Sequence, residues 1–496
     1  MRLLGRERGR RVRLVRRHLL AVAWVLAAGV AAFAVFRADG LTALGAETWR
    51  HPLRLALPHL LAGGLLWAAC GRWRRLIWSL PLPLLLAGWW ASRLVDPPPE
   101  RISGGQGPDI LLLTLDTFRA DHLAYAPALQ ALESYPNAVT SAPLTAPAHA
   151  SMLTGLSVLD HGLVRNGGAT TAPMVVEELR LAGYATGAFV SARVLQREGG
   201  FGAGFHHVDD RWRQQRWEPL FGNLLGAGPR TRPGDVTVDR ALQWFEATEG
   251  PRLLWVHLYD PHSPYLPPEG WRPSAEEQAQ AAAKDAETRP PSGNLKGLIQ
   301  NLRSGFGEGQ RLMYRAEIAW TDHLASKLLE GVGTETRVLV VGDHGEGLGE
   351  HEEWFDHGVR LFETTVSVPL LTRGLGPAHE GLVGVHQVAE ALRHAAGLGG
   401  SLFPPLERVE VFTSGQHTQG RGEGSAVALR LPTAKLMQHE GRPPVWYDLS
   451  VDGAEELPLP PPEQAPMADL EALMGRLPPG PGSEEIRRMR ALGYIE

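Results

Sequence analysis

Three short apolar stretches that end in acidic or histidine residues constrain the fold of this chain most strongly. They are DILLLTLD, RLLWVHLYDPH and RVLVVGDHG, which begin at residues 109, 252 and 337. Continuous apolar runs of this length are typical of parallel strands buried on both faces. The carboxyl ends of such strands line one crevice in an open α/β sheet. We therefore expect Asp116, Asp343 and His344 to meet at one site.

Helical patterns separate these predicted strands. APMVVEELRLAGY and RLMYRAEIAWTDHLASKLLEGV carry apolar residues at helical spacing, so the chain is predicted to have the α/β class. Residues 275–294 resemble a charged insertion with helix in its first half. Near the C-terminus, VEVFTSG, AVALRLPTAKLMQ and VWYDLS predict short strands joined by turns.

The N-terminal region predicts a membrane anchor. Arginine-rich residues precede an apolar run at 18–36, and two more runs follow at 52–70 and 76–91, separated by the basic loop GRWRR. Basic segments stay on the cytoplasmic side, so three spans would place the rest of the chain outside a bacterial-type cytoplasmic membrane, facing the periplasm. A cleaved signal peptide is the alternative for the first run, and Pro81 and Pro83 weaken the third. We assign residues 1–93 to the membrane region and 94–107 to a linker.

The stretch SAPLTAPAHASMLTG, from Ser141 to Gly155, predicts a helix that begins near Thr145. Threonine is a good N-cap, and proline is tolerated in the first turn. A helix N-terminus also favours negative charge, so the Thr145 hydroxyl could instead attack a bound oxyanion or ligate a metal beside it. Both interpretations are open on the residues alone.

Charge and cysteine content exclude several classes of function. The formal net charge is -5, and basic residues are clustered only at the N-terminus, so no nucleic-acid footprint is predicted. Cys70 is the only cysteine of the chain. A disulfide framework and a cysteine-rich metal site are therefore excluded.

From Pro108 onward the chain resembles the sulfatase family of the alkaline-phosphatase superfamily. The resemblance rests on several blocks in family order, among them PDILLLTLDTFRADHL, TAPAHASMLTG, VHLYDPHSPYLPP, VVGDHGEGLGEH and HGVRLFETTVSVPLL. It implies a mixed sheet flanked by helices over residues 108–375, followed by a small antiparallel C-terminal subdomain and tail over 376–496. The implied activity is hydrolysis of sulfate or phosphate esters.

Three positions depart from the family pattern. Sulfatases carry a cysteine or serine, converted to formylglycine, where this chain has Thr145, and an arginine where it has His149. Thr117 occupies the place of a second aspartate ligand. An unmodified threonine resembles the nucleophile of superfamily phosphodiesterases and of membrane-anchored phosphoethanolamine or glycerophosphate transferases.

The resemblance also implies roles for individual residues. A divalent metal would be held by Asp116, Thr145, Asp343 and His344, with zinc or manganese favoured over calcium because the set has few oxygen donors and one imidazole. The implied catalytic residues are the nucleophile and three histidines: Thr145, His149, His262 and His357.

Alternatives remain open at this stage. The chain could be a transferase of the phosphoethanolamine or glycerophosphate type, or a degenerate catalytic domain kept as a membrane-tethered binding protein. The ester, the final acceptor and the oligomeric state are not determined by the sequence. Arg119 is expected to pair with a nearby carboxylate, Asp116 or Asp121. The residues whose role is ambiguous or structural are His161, His257, Asp260, Glu350 and His351.

Overall fold

The computed structural model describes residues 106–210, 231–287, 307–415 and 424–478. The three predicted membrane spans and most of the predicted linker lie outside these residues. Within them, the structure contains no helix with the length and apolar character that a bilayer crossing needs.

The described strands are numbered in chain order. They are β1 (Ile110–Leu115), β2 (Glu133–Ser134), β3 (Ala138–Val139), β4 (Ala185–Val190), β5 (His207–Asp209), β6 (Arg252–Leu258), β7 (Arg337–Gly342), β8 (Gly347–Leu348), β9 (Trp354–Asp356), β10 (Leu370–Arg373), β11 (Val383–Gly384), β12 (Val409–Thr413), β13 (Ala426–Arg430), β14 (Ala434–His439) and β15 (Val445–Asp448).

The described α-helices are numbered in the same way. They are α1 (Pro127–Gln130), α2 (Thr145–Thr154), α3 (Val158–His161), α4 (Val175–Leu181), α5 (Gly234–Ala247), α6 (Ala275–Glu287), α7 (Gly307–Gly331), α8 (Glu363–Val366), α9 (Val388–Ala396) and α10 (Met467–Met474). Helix α6 confirms the helix predicted in the charged insertion.

A mixed sheet forms the centre of the described fold. Its strand order is β2-β10-β7-β1-β6-β4-β5, with β1 parallel to both β6 and β7 and β10 antiparallel to β7. In this register Leu115 lies between Leu258 and Gly342, so β1, β6 and β7 end at the same level. This confirms the three predicted strands and brings their polar ends together.

Helices cover both faces of this sheet. Ile110 and Leu112 face one core with α2, α4 and α9, whereas Leu111 and Leu113 face the other with α5 and α7. Because successive side chains point to opposite faces, a strand between two helical layers must be apolar throughout. All six residues of β1 are buried, which explains why the strand is apolar except at Thr114.

The predicted antiparallel C-terminal sheet is also confirmed. Strands β12, β13, β14 and β15 pair in that order, all antiparallel, and Leu470 and Leu473 of α10 pack on them. Helix α9 packs on the central sheet although it follows residue 375. The domain boundaries given above stay predictions.

Candidate active site

Helix α2 carries Thr145 to the polar edge of the sheet. Thr145 is its first residue, and Leu144 occupies the N-cap position, so the capping interpretation of Thr145 is wrong. The Thr145 hydroxyl Oγ1 instead lies 3.3 Å from His344 Nε2. Asn166 supplies the missing cap, because its Oδ1 accepts the Ala146 N–H at 2.9 Å.

Asp116, Asp343 and His344 converge as predicted. One ligand atom from each lies within 4.8 Å of the others, and all three side chains are fully buried. His344 Nε2 is 3.7 Å from both Asp116 Oδ1 and Asp343 Oδ2. The ring donates its Nδ1–H to the Gly345 carbonyl at 2.9 Å, which leaves the Nε2 lone pair free to bind a proton or a metal.

This group, which we call the cation centre, fits a divalent metal. Both oxygens of Asp116 and Oδ2 of Asp343 are buried without a hydrogen-bond partner among the described residues. Burial raises the pKa of both carboxyls, that of Asp343 well above its ordinary value. Buried carboxylates of this kind are stable when they pair with a cation, and the donors suit zinc or manganese.

His357 is held beside the cation centre by a buried carboxylate. Its ring centroid is 4.4 Å from that of His344, and its Nδ1–H donates to Glu346 Oε1 at 3.0 Å. Tyr265 donates its hydroxyl to the other oxygen of Glu346, also at 3.0 Å. Burial alone would lower the pKa of His357, but Glu346, together with Asp356 and Asp116, outweighs it and raises that pKa to about 9.

His262 reaches the same place from the loop after β6. Its ring meets His357 edge-on with centroids 5.0 Å apart and stacks on Tyr259 at 4.3 Å. Its Nδ1 lies 2.7 Å from both the Ser263 carbonyl and the Tyr259 hydroxyl, and these two contacts hold the ring in place. His262 and His357 thus form a pair of histidines beside the cation centre.

His149 lies beneath the first turn of α2. Trp255 Nε1–H donates to Thr114 Oγ1 at 3.1 Å, and His149 Nδ1–H donates to the Thr145 carbonyl at 2.8 Å. The Thr114 hydroxyl therefore donates to His149 Nε2 at 2.9 Å. Burial lowers the pKa of His149 to about 3, in agreement with a neutral ring. Both ring nitrogens are engaged within the fold, so the predicted catalytic role of His149 gains no contact here and stays a prediction.

Arg119 binds one of its two predicted carboxylates. It contacts Asp121 at 2.6 Å and also reaches Glu350 and the Glu346 carbonyl, both at 3.0 Å. Among the described residues Arg119 makes no hydrogen bond to Asp116, so of the two nearby carboxylates it pairs with Asp121. Arg119 thus fixes the loop that carries Glu346.

Among the remaining ambiguous residues, Asp260, His161 and His351 make contacts that serve the fold, whereas His257 lies beside the cation centre, with Nε2 3.4 Å from Asp116 Oδ2. Asp260 Oδ1 accepts the Gly234 N–H at 3.1 Å and the Trp320 indole N–H at 3.0 Å. His161 bonds to Ser151 Oγ at 3.0 Å, and His351 stacks on Phe362 at 3.6 Å.

Sequence reasoning missed Glu346, Tyr265 and Asn166. Glu346 lies in a glycine-rich loop that resembles a solvated turn, and its burial comes from strands and loops distant in sequence. Asn166 lies in the segment HGLVRNG, and only the fold places it over the N-terminus of α2. A polar residue in an otherwise apolar or glycine-rich block is the one signal that could have pointed to them.

Comparisons with known proteins agree with this architecture. The sulfatase family model matches residues 108–401. Choline-sulfatase of Rhizobium meliloti (strain 1021) is 25% identical over 377 residues, which are 62% of this chain and 70% of that protein. The structure is also similar to the phosphonate monoester hydrolase of Agrobacterium radiobacter, with a TM-score of 0.55 at 18% identity, covering 78% of this chain and 96% of that one. A 2-O GAG sulfatase gives a TM-score of 0.52 at 15% identity, covering 75% and 91%.

Proposed function

The chain belongs to the sulfatase family, and from this membership we propose that it cleaves its substrate with Thr145 as the nucleophile and a divalent metal at the cation centre. The protein is a hydrolase of sulfuric or phosphoric ester bonds, as family members are. Sulfatases generally bind a divalent metal. The observation that carries the proposal is the 3.3 Å approach of the Thr145 hydroxyl to His344 Nε2, beside three oxygens of Asp116 and Asp343 that have no hydrogen-bond partner among the described residues.

The metal would be held by Asp116, Thr145, Asp343 and His344. When bound, it would lower the pKa of the Thr145 hydroxyl and balance the charge of the ester oxygens. Zinc or manganese suits these donors better than calcium, which prefers more oxygen ligands.

The protein groups divide the remaining tasks. Thr145 Oγ1 attacks the phosphorus or sulfur atom and the ester oxygen leaves, forming a covalent ester on Thr145. His357, protonated and held by Glu346, supplies a proton to the leaving oxygen, and the neighbouring His262 accepts the proton that Thr145 releases. In the second step water attacks the threonine ester and restores the hydroxyl.

A threonine nucleophile favours phosphoryl over sulfuryl transfer. A formylglycine hydrate expels sulfate by reforming its aldehyde, and threonine cannot take that modification. A phosphothreonine ester, in contrast, can be resolved by in-line attack of water. We therefore propose a phosphoester as the preferred substrate, with sulfate esters as the competing class.

We also propose that the catalytic domain is anchored outside the cytoplasmic membrane. The support is the arginine-rich N-terminus and the apolar runs at 18–36, 52–70 and 76–91. The lipid bilayer would then be a partner of the N-terminal region. The same runs, together with Thr145, favour the transferase of the phosphoethanolamine or glycerophosphate type as the second candidate, with a hydroxyl acceptor in place of water.

The degenerate binding protein has less support. Asp116, Asp343, His344 and His357 lie together in a buried cluster whose carboxylates lack any other cation among the described residues. Burying carboxylates without a paired cation destabilises the fold, and a protein without catalysis would have no use for them.

The test compares full-length protein purified in detergent and loaded with zinc, manganese or calcium. Aryl sulfate, aryl phosphate monoester and aryl phosphodiester are assayed with wild type, Thr145→Ala and the control Thr154→Ala, at the other end of α2. We expect metal-dependent phosphoester cleavage that falls at least ~10³-fold in Thr145→Ala and persists in Thr154→Ala. Equal activity of wild type and Thr145→Ala would refute the nucleophile.

A further inference from the structure

His257 is a fully buried histidine without a hydrogen bond. It lies near the end of β6, paired in register with Thr114 of β1. Neither of its ring nitrogens has a hydrogen-bond partner among the described residues. Buried polar groups are nearly always satisfied in native proteins, so this side chain calls for a partner.

A carboxylate of the cation centre lies close to His257. His257 Nε2 lies 3.4 Å from Asp116 Oδ2, whereas the other oxygen, Oδ1, lies 3.7 Å from His344 Nε2. The two oxygens of Asp116 therefore face different histidines. A carboxylate in this position can bind a cation through Oδ1 while Oδ2 accepts an N–H from His257.

A second cation beneath the first is the competing explanation. His149, His257 and Asp343 also bring three ligand atoms within 4.8 Å of one another. However, His149 already bonds to the Thr145 carbonyl and to Thr114, and Asp343 Oδ1 accepts the N–H groups of Thr117 and His344. Within this group of three residues, only the ring nitrogens of His257 and Oδ2 of Asp343 remain as ligands. These are too few for a metal site built by the protein.

We propose that His257 is a positioning residue of the cation centre, which donates its Nε2–H to Asp116 Oδ2 and thereby keeps Asp116 Oδ1 directed at the metal. This inference rests on the proposed function, because it requires a metal at that centre. Hydrogen bonds from outside the ligand set fix the orientation of ligating carboxylates, and their loss typically weakens metal binding 10–100-fold.

The experiment measures zinc affinity of the full-length protein by competition with a fluorescent chelating indicator. His257→Phe removes the N–H and is expected to weaken binding by ~10–100-fold, with one ion per chain throughout. His257→Gln places an amide N–H near Nε2 and should retain most of the affinity, whereas the shorter His257→Asn should not. The Gln and Asn variants keep the proposal testable if the phenylalanine variant fails to fold.

Two further readouts separate positioning from a general structural role. Zinc should stabilise the wild type against urea more than it stabilises His257→Phe, because the stabilisation follows the dissociation constant. With Asp116→Asn as the background, the His257→Phe change should no longer affect affinity, since its effect acts through Asp116.

Three results would overturn the positioning role of His257. Unchanged zinc affinity in His257→Phe, with tight binding by wild type, overturns the positioning role alone. Two ions in wild type and one in His257→Phe would make His257 a ligand of a second ion and also overturn it. Absence of any binding by wild type overturns both this inference and the metal in the proposed function.

Discussion

Replacing Lys435 by methionine should destabilise the fold by about 3–5 kcal/mol, the usual cost of breaking a buried ion pair. The Lys435 side chain is 0% exposed, and its Nζ lies 2.8 Å from Glu363 Oε1 and 2.7 Å from Glu455 Oε1. It also donates to the Leu361 carbonyl at 2.8 Å. The C-terminal sheet thus holds the segment that follows His357, and the substitution leaves the buried Glu455 and the partly buried Glu363 without their shared cation.

The lowered pKa of Glu363 points in the same direction. Burial would raise this pKa, but Lys435 and then Arg430 bring it to about 2, below the ordinary 4.5. A depressed carboxyl pKa stabilises the fold fully above 4.5, and this contribution, about 3 kcal/mol, disappears as pH falls from 4.5 towards 2. The stability difference between wild type and Lys435→Met should therefore shrink over that range.

The assay is urea unfolding followed by tryptophan fluorescence at pH 7 and at several pH values below 4.5. Lys327→Met is the matched control, because Lys327 pairs with Asp239 at the surface with side chains 45% and 53% exposed. Its expected cost is at most ~1 kcal/mol. The reasoning is refuted if Lys435→Met costs no more than this control.

Three other predictions follow from the site. His357→Asn should lower kcat by ~10²–10⁴-fold for alkyl esters, because their leaving oxygen needs a proton. The loss should be much smaller for 4-nitrophenyl esters, whose leaving oxygen needs none. Measuring kcat for a series of esters with different leaving groups tests this difference. Asn166→Ala should cost ~1 kcal/mol of unfolding free energy, because the Ala146 N–H loses its acceptor. Chelation with EDTA should abolish activity and lower the thermal midpoint, and zinc or manganese should restore both.

The sequence predicted those parts of the site that lie at strand ends. Asp116, Asp343 and His344 follow apolar runs that are typical of buried parallel strands, so their convergence follows from the geometry of an open sheet. The C-terminal sheet was predictable for a similar reason, since turn residues separate its short strands.

The contacts that tune the site were not predictable. The carboxylate that charges His357 belongs to Glu346, and the N–H proposed to orient Asp116 belongs to His257. Each depends on which side chains face each other after the sheet is assembled, and no local periodicity encodes that. Thr145 illustrates the same limit, because a residue suited to cap a helix instead directs its hydroxyl at His344.

The central claim is tested most directly by trapping the covalent enzyme. Full-length protein loaded with zinc is mixed with an aryl phosphate ester, quenched in acid within milliseconds, digested and analysed by mass spectrometry. In the wild type we expect a phosphoryl group on Thr145 that decays with further time. In Thr145→Ser we expect the same group on the serine at position 145. Turnover without any modified residue 145 at any quench time, in both proteins, would contradict it.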